Sequence, residues 1–112
     1  MTDASPPLLL PVAGERQENS DGSSRQAEIR RCRVGESVTL LCEPADKSHP
    51  PLVTVHSNRS VQLGHLGPFE AGPILAAIGR GLPVMARVEG IVNSLRGSEP
   101  CRMVIRVSMQ PG

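Results

Sequence analysis

Apolar and polar residues alternate with period two through most of the chain after residue 27. Residues 37–42 set Val38, Leu40 and Cys42 against Ser37, Thr39 and Leu41. Residues 52–56 place Val53 and Val55 on one face, and residues 61–66 return after the polar turn 57–60, where Asn58 suits a left-handed conformation. In residues 82–92, Val84, Ala86 and Val88 alternate with Met85, Arg87 and Glu89. The cleanest case is residues 101–109. Cys101, Met103, Ile105, Val107 and Met109 share one parity, and Arg102, Val104, Arg106 and Ser108 the other. Such alternation marks half-buried antiparallel strands. If the last two segments pair, Arg87, Arg102 and Arg106 form one basic surface. Residues 28–34 read as a first strand, with Ile29, Arg31 and Arg33 on one face.

The period changes once, over residues 68–80. Ile74, Leu75 and Ile78 fall at helical spacing, and Gly79-Arg80-Gly81 supplies a glycine stop. Proline is tolerated in a helix only in its first turn, so Pro73 predicts a start near Gly72. Phe69 then packs before the helix as part of the core. Gly64, inside a strand pattern, predicts a bulge or a close backbone approach. Asp46 can close the loop 45–51 on its own backbone. Residues 93–100 read as a polar connection.

Six strands and one or two helices make the chain mainly β. Residues 1–28 lack periodicity and carry Pro, Ser, Gly and acids, so they read as a disordered tail or linker before a domain at 29–112. Within that tail only Pro6 to Ala13 is apolar, with Leu8-Leu9-Leu10 at its centre. It is a candidate to clip onto an open sheet edge of its own chain or a neighbour.

Composition narrows the picture. The chain has 112 residues, one Phe, no Tyr and no Trp, so its core is small and aliphatic. Such a core gives ordinary or marginal stability, and a monomer or weak dimer is expected. Residues 29–112 carry ten Lys/Arg and six Asp/Glu, a surplus of four. A mildly basic domain is compatible with nucleic acid. Three cysteines and no apolar stretch long enough for a signal or a span predict thiols in a reducing cytoplasm and no membrane partner.

The order of features from residue 35 to 92 resembles the HIRAN domain. An apolar strand (Val38, Leu40) ends in Glu43-Pro44, then a polar loop, Val53 and Val55, Leu63-Gly64-His65-Leu66, and a helix with Ala71 and Leu75. The resemblance implies a small β-barrel related to the OB-fold, and recognition of single-stranded DNA at a 3′ end. The chain departs from the family's loop: Asp46 stands where Asn is usual, and Ser48-His49 where Tyr-Asp is usual. The resemblance places Ser48, His49 and His65 beside a terminal nucleotide. Arg31, Arg33 and Arg87 are the candidates to hold phosphates.

Other chemistry is not signalled. There is no phosphate-cradling glycine loop, no Cys-x-x-Cys and no His-Glu-x-x-His. The Cys and His spacings fit no zinc pattern. The expectation is a non-enzymatic module without cofactor or metal that binds nucleic acid, single-stranded DNA or DNA 3′ ends foremost. The competing expectation is a protein-interaction module that keeps the barrel and has lost DNA-end binding. Without Tyr or Trp, stacking of roughly 1–3 kcal/mol per base is largely missing, so binding would rest on phosphate contacts and depend strongly on salt.

Overall fold

The computed structural model describes residues 7–92 and 101–109. Among them lie six strands and two helices, in the order β1 (Leu8–Pro11), α1 (Arg25–Arg31), β2 (Ser37–Glu43), β3 (Leu52–His56), β4 (Gln62–His65), α2 (Pro68–Gly79), β5 (Val84–Val92) and β6 (Arg102–Met109). The expected connection 93–100 falls outside the described residues, as do residues 1–6 and 110–112.

The strands form one curled antiparallel sheet, ordered β1-β6-β5-β2-β3-β4. It is an OB-like half-barrel. Its inner face holds the aliphatic parity read from the sequence: Val53, Val55, Val88, Ile105 and Val107 are each at most 2 % exposed. β2 and β5 pair only at Ser37↔Arg87 and Val38↔Ala86, and beyond them the wall opens into a slit of about 260 Å³. The helix α2 buries Ala71, Ile74 and Ala77.

The two edges of the sheet meet. Past β1 the chain continues to Ala13, which bridges His65 at the end of β4. Ala13 N donates to His65 O at 2.7 Å, and His65 N donates to Ala13 O at 2.9 Å. Gly64 makes this approach possible. A Cβ there would stand 2.3 Å from Ala13 O and 2.6 Å from Val12 Cγ1. The close approach expected at Gly64 is therefore to the chain's own N-terminal segment, and no space is left there for a ligand.

Residues 7–28 are thus part of the fold, which corrects their assignment as a tail. Leu8–Pro11 pairs antiparallel with β6, from Leu8↔Val107 to Pro11↔Val104. Pro11 is tolerated because β1 has a ladder partner on one side only. The strand expected at 28–34 is instead the end of α1 and the turn after it. Ser24 caps α1, its hydroxyl accepting from Ala27 N, a common N-cap role. The helix buries Arg25, Glu28 and Ile29, with Cys32 following, at spacings of three, one and three. That stripe is helical, but half of it is charged and invisible to a hydrophobicity reading. Both charges are partnered across the fold. Arg25 donates to Asn19 Oδ1 at 2.7 Å and to Gly14 O at 2.8 Å. Glu28 Oε2 accepts from Ser57 Oγ and from Arg59 Nε, each at 2.6 Å.

Two further expectations are corrected. Phe69 is not core but 93 % exposed, because α2 starts at Pro68 rather than near Gly72 and carries Pro73 inside it. The left-handed residue of the β3–β4 turn is Ser60, at φ 64°, not Asn58.

The closure at Gly64 yields a test. Gly64→Ala is expected to lower stability in urea unfolding by about 1–3 kcal/mol, the usual cost of overpacking. Gly72→Ala, with open space around its Cβ position, is expected to hold stability or raise it by up to about 1 kcal/mol. Equal effects of the two would show that the edge contact does not constrain the fold.

Candidate nucleic-acid interface

β5 and β6 pair as the alternation suggested, with Arg87 opposite Arg106 and Val92 opposite Arg102. The same row continues on both sides, Leu9 opposite Arg106 and Ser37 opposite Arg87. The flanking residues Ala86, Val88, Ile105 and Val107 are core, so this row lies on the outer face. Leu9, Arg87, Arg102 and Arg106 are all exposed there.

Side chains directly across two strands stem from Cβ atoms about 5 Å apart, and like charges so placed repel. The structure answers this for each arginine separately. Arg106 Nε pairs with Glu89 Oε1 at 2.8 Å, and Arg87 Nη1 donates to Gly35 O at 3.3 Å. Glu36 N donates to Arg33 O in the same turn, which sets Arg33 at the Arg87 end of the sheet. Arg31 is exposed in the last turn of α1, just before it. Arg31 and Arg33 therefore stand on a helix end and a turn, not on one face of a strand.

Ser48 and His49 lie elsewhere. They occupy the β2–β3 loop, beyond the far end of β2, and six residue steps of strand span about 20 Å. Asp46 organises this loop, its Oδ1 accepting from Ser48 N at 2.7 Å, Ser48 Oγ at 2.6 Å and His49 N at 3.1 Å. His49 Nε2 stands 3.1 Å from Asp46 Oδ2, and Nδ1 lies 2.7 Å from Pro50 O. Both ring nitrogens thus face acceptors, which favours the imidazolium. The hydrogen bond to Pro50, with the charges of Asp46 and Glu43, raises the His49 pKa against some desolvation. Ser48 donates its hydroxyl to the Asp46 carboxylate and not to the His49 ring.

His65 ends β4 and pairs with Thr54, two residues from the start of β3. Its backbone closes the sheet edges, and its ring lies against Gly14. A Cβ on Gly14, whose φ is +73°, would stand 2.6 Å from His65 Cε1 and 3.1 Å from Arg25 Nη1. Burial first, and the Arg25 charge second, push the His65 pKa below its ordinary value. His56 is depressed by burial and Arg25, against Glu43. Its Nε2 lies 2.8 Å from Thr54 Oγ1. The six candidate residues therefore divide into a basic group (Arg31, Arg33, Arg87), a loop pair (Ser48, His49) and His65 at the closure. Arg102 and Arg106 join Arg87 through strand pairing, and alternation alone had put them on one face.

Cys32 is buried, and desolvation raises its thiol pKa to about 11, which keeps it an unreactive thiol. Arg59 Nη2 lies 3.7 Å from its sulfur and 3.7 Å from Glu36 Oε2. Among the described residues no group of three or more His, Cys, Asp or Glu converges to hold a metal ion. No helix there is long and apolar enough to cross a membrane.

No family model matches the chain, and no curated protein matches it. A solved structure does. The crystal structure of a protein from Lactobacillus plantarum, a structural-genomics target, superposes with a TM-score of 0.64 over 96 % of this chain and 97 % of that one. The two share 19 % identity. At that identity the likeness establishes the fold and nothing further.

The depressed histidines generate a pH test. Below about pH 6.5 the unfolded chain binds protons that neutral His56 and His65 refuse, so stability falls as pH drops from 6.5 towards their folded values. His49 acts oppositely: its contribution is present below 6.5 and is lost as pH rises through its raised value. Unfolding measured at pH 7.5 and 5.5 is expected to show a smaller acid loss in His65→Gln than in the wild type. His49→Gln should not reduce that loss. An unchanged acid loss in His65→Gln would refute the assignment.

Proposed function

We propose that the chain is a nucleic-acid-binding module that holds the phosphate backbone on the outer face of β5 and β6. The observation that supports this most is the Arg87↔Arg106 register on an exposed face. Two guanidinium groups forced into adjacent positions are relieved by an anion bridging them, and Arg matches phosphate bidentately. Arg102 extends the track along β6, and Arg33 adds to it from the turn before β2, which is bonded to β5 at Val88. Leu9 on β1, opposite Arg106, and Met85 on β5, both exposed, offer apolar contact to sugars and bases without aromatic stacking. Glu89 competes for Arg106 and must give way on binding, which lowers the affinity.

The reading follows the HIRAN resemblance for ligand class, single-stranded DNA first, and shifts the phosphate contacts from the α1 end towards β6. End recognition by Ser48, His49 and His65 is a separate proposal; His65 pairs with Thr54, two residues from the start of β3, where the loop ends.

The test is fluorescence anisotropy with a short single strand carrying a free 3′-hydroxyl, the same strand 3′-phosphorylated, and a duplex, at two salt concentrations. Weak binding is expected, with log affinity falling linearly in log salt. Arg87→Ala with Arg106→Ala should lower the steepness by about 1.4, at about 0.7 per lost single-strand contact. An unchanged affinity and salt slope in the double variant would overturn the placement. A preference for the free hydroxyl that His49→Ala removes would support end recognition by the loop. No binding at low salt would overturn the nucleic-acid reading and favour the protein-interaction module.

A further inference from the structure

The segment that closes the sheet is lightly held. Of residues 7–13 only Val12 is buried, with Leu8 and Leu10 half-buried. Its ladder to β6 runs from Leu8 to Pro11 and is extended by Val12 N, which donates to Met103 O at 3.0 Å. The Ala13–His65 pair then fixes it to β4. Chain ends with so few buried apolar groups open without the rest of a fold. Gly14, at φ +73°, begins the turn that follows, its carbonyl accepting from Gln17 N.

The closure carries positive charge with no carboxylate against it. Arg25 is 7 % exposed, and its partners are all neutral: Asn19 Oδ1, Gly14 O and, at 3.2 Å, Gln17 Oε1. Among the described residues no carboxylate forms an ion pair with it, whereas a buried cation is ordinarily paired. The His65 ring lies beside it. Cε1 and Nδ1 of the ring and Nη1 of Arg25 all fall within 3.1 Å of the one point where a Cβ on Gly14 would stand. A neutral ring packs there without opposing the guanidinium. A protonated ring sets a second cation beside the first, and Arg25 is itself bonded to the segment at Gly14 O. The repulsion therefore acts across the closure.

The other charged groups around His65 do not cancel this. Glu28, on the same helix as Arg25, is taken up by Ser57 and Arg59. His56 stands on β3, two residues from the Thr54 that pairs with His65, and brings no negative charge. The charge of Glu43 acts on His56, whereas the charge that acts on His65 is that of Arg25. Glu15, next to Gly14, accepts from Met103 N at 2.5 Å. Burial raises its pKa against that bond and the charge of Arg102, so at Glu15 a proton favours the closed form.

We propose that residues 8–13 are a strap released by protonation of His65, which opens the Ala13–His65 bridge and frees the strap from β4 and β6 while the other strands stay paired. Release leaves the outer edges of β4 and β6 unpaired and exposes Val12. In the closed form burial and Arg25 disfavour the charged ring. In the open form the ring regains its ordinary pKa of 6.5. The open form thus binds the proton more tightly, and opening rises as pH falls below that value. The strap is independent of the nucleic-acid reading, which rests on the arginines of β5 and β6.

Amide hydrogen exchange of the full chain, followed by NMR at pH 7.5 and 5.5, tests it. Protection factors remove the intrinsic pH dependence of exchange. Protection at Val12, Ala13 and His65 is expected to fall by about three- to ten-fold at the lower pH, the range one histidine supplies over that interval. At both pH values it should lie about ten-fold or more below that of Leu66, whose N–H is bonded to Val53 O inside the sheet. His65→Gln should abolish the fall, and His56→Gln should keep it. The variants are compared by their ratio between the two pH values, which a uniform loosening of the strap does not move. Strap amides as protected as Leu66 would mean that they open only with the whole fold, and would overturn the proposal. Strap protection independent of pH, or an acid loss that survives in His65→Gln, would also overturn it.

Discussion

Two hydrogen bonds between Ala13 and His65 decide the shape of this protein. They join the segment after the first strand to the fourth, the two outer members of a six-stranded sheet. Without them the twisted sheet would keep two open edges. With them, Gly64 must lack a side chain, Gly14 must lie under the His65 ring, and Arg25 must reach over both. A large share of the polar side chains in the N-terminal third serve this closure. Gln26 belongs to the same scheme: its amide pairs with the backbone of Cys101, donating to the carbonyl and accepting from the N–H. Helix α1 is thereby tied to β6 as though it were one more strand.

This division of labour separates architecture from candidate function. His56, His65 and Arg25 are tied to the barrel's outer wall by geometry and desolvation. The arginines of β5 and β6 do nothing comparable for the fold. Arg87 and Arg106 sit opposite each other on an open face at some cost in repulsion, eased by Glu89 and by a backbone carbonyl. Charges that a fold tolerates without using them are where a ligand is best sought.

The sheet strands from residue 37 onward were legible because their side chains obey a single period and one face is aliphatic. β6 shows this best, with Met103, Ile105 and Val107 buried and Met109 half-buried. What sequence reading missed has physical reasons. Leu8-Leu9-Leu10 carries a strand too short to show a period, flanked by prolines, and is held by a partner at the other end of the chain. The α1 stripe is half Arg25 and Glu28, whose burial depends on Asn19, Ser57 and Arg59 contributed from elsewhere. Phe69 looked like core because large aromatic residues usually are. Its helix begins earlier than Pro73 suggests, which turns the ring outwards. For the candidate site, alternation placed Arg87, Arg102 and Arg106 on one parity, and pairing made them neighbours. No local signal separated His65 from the loop residues.

The pairing of β1 with β6 has a consequence for how the protein is made. Leu8 leaves the ribosome well before its partner Val107, which follows only after nearly all the described chain has been synthesised. Until then β1 has nothing to add to, and the Ala13–His65 closure lacks a neighbour to brace it. Long-range pairings of this kind slow folding, and a waiting apolar segment is open to the wrong partner. The prolines beside Leu8-Leu9-Leu10 answer that hazard. They shorten the segment's capacity to pair with a passing strand and leave it competent for the single short register that β6 offers.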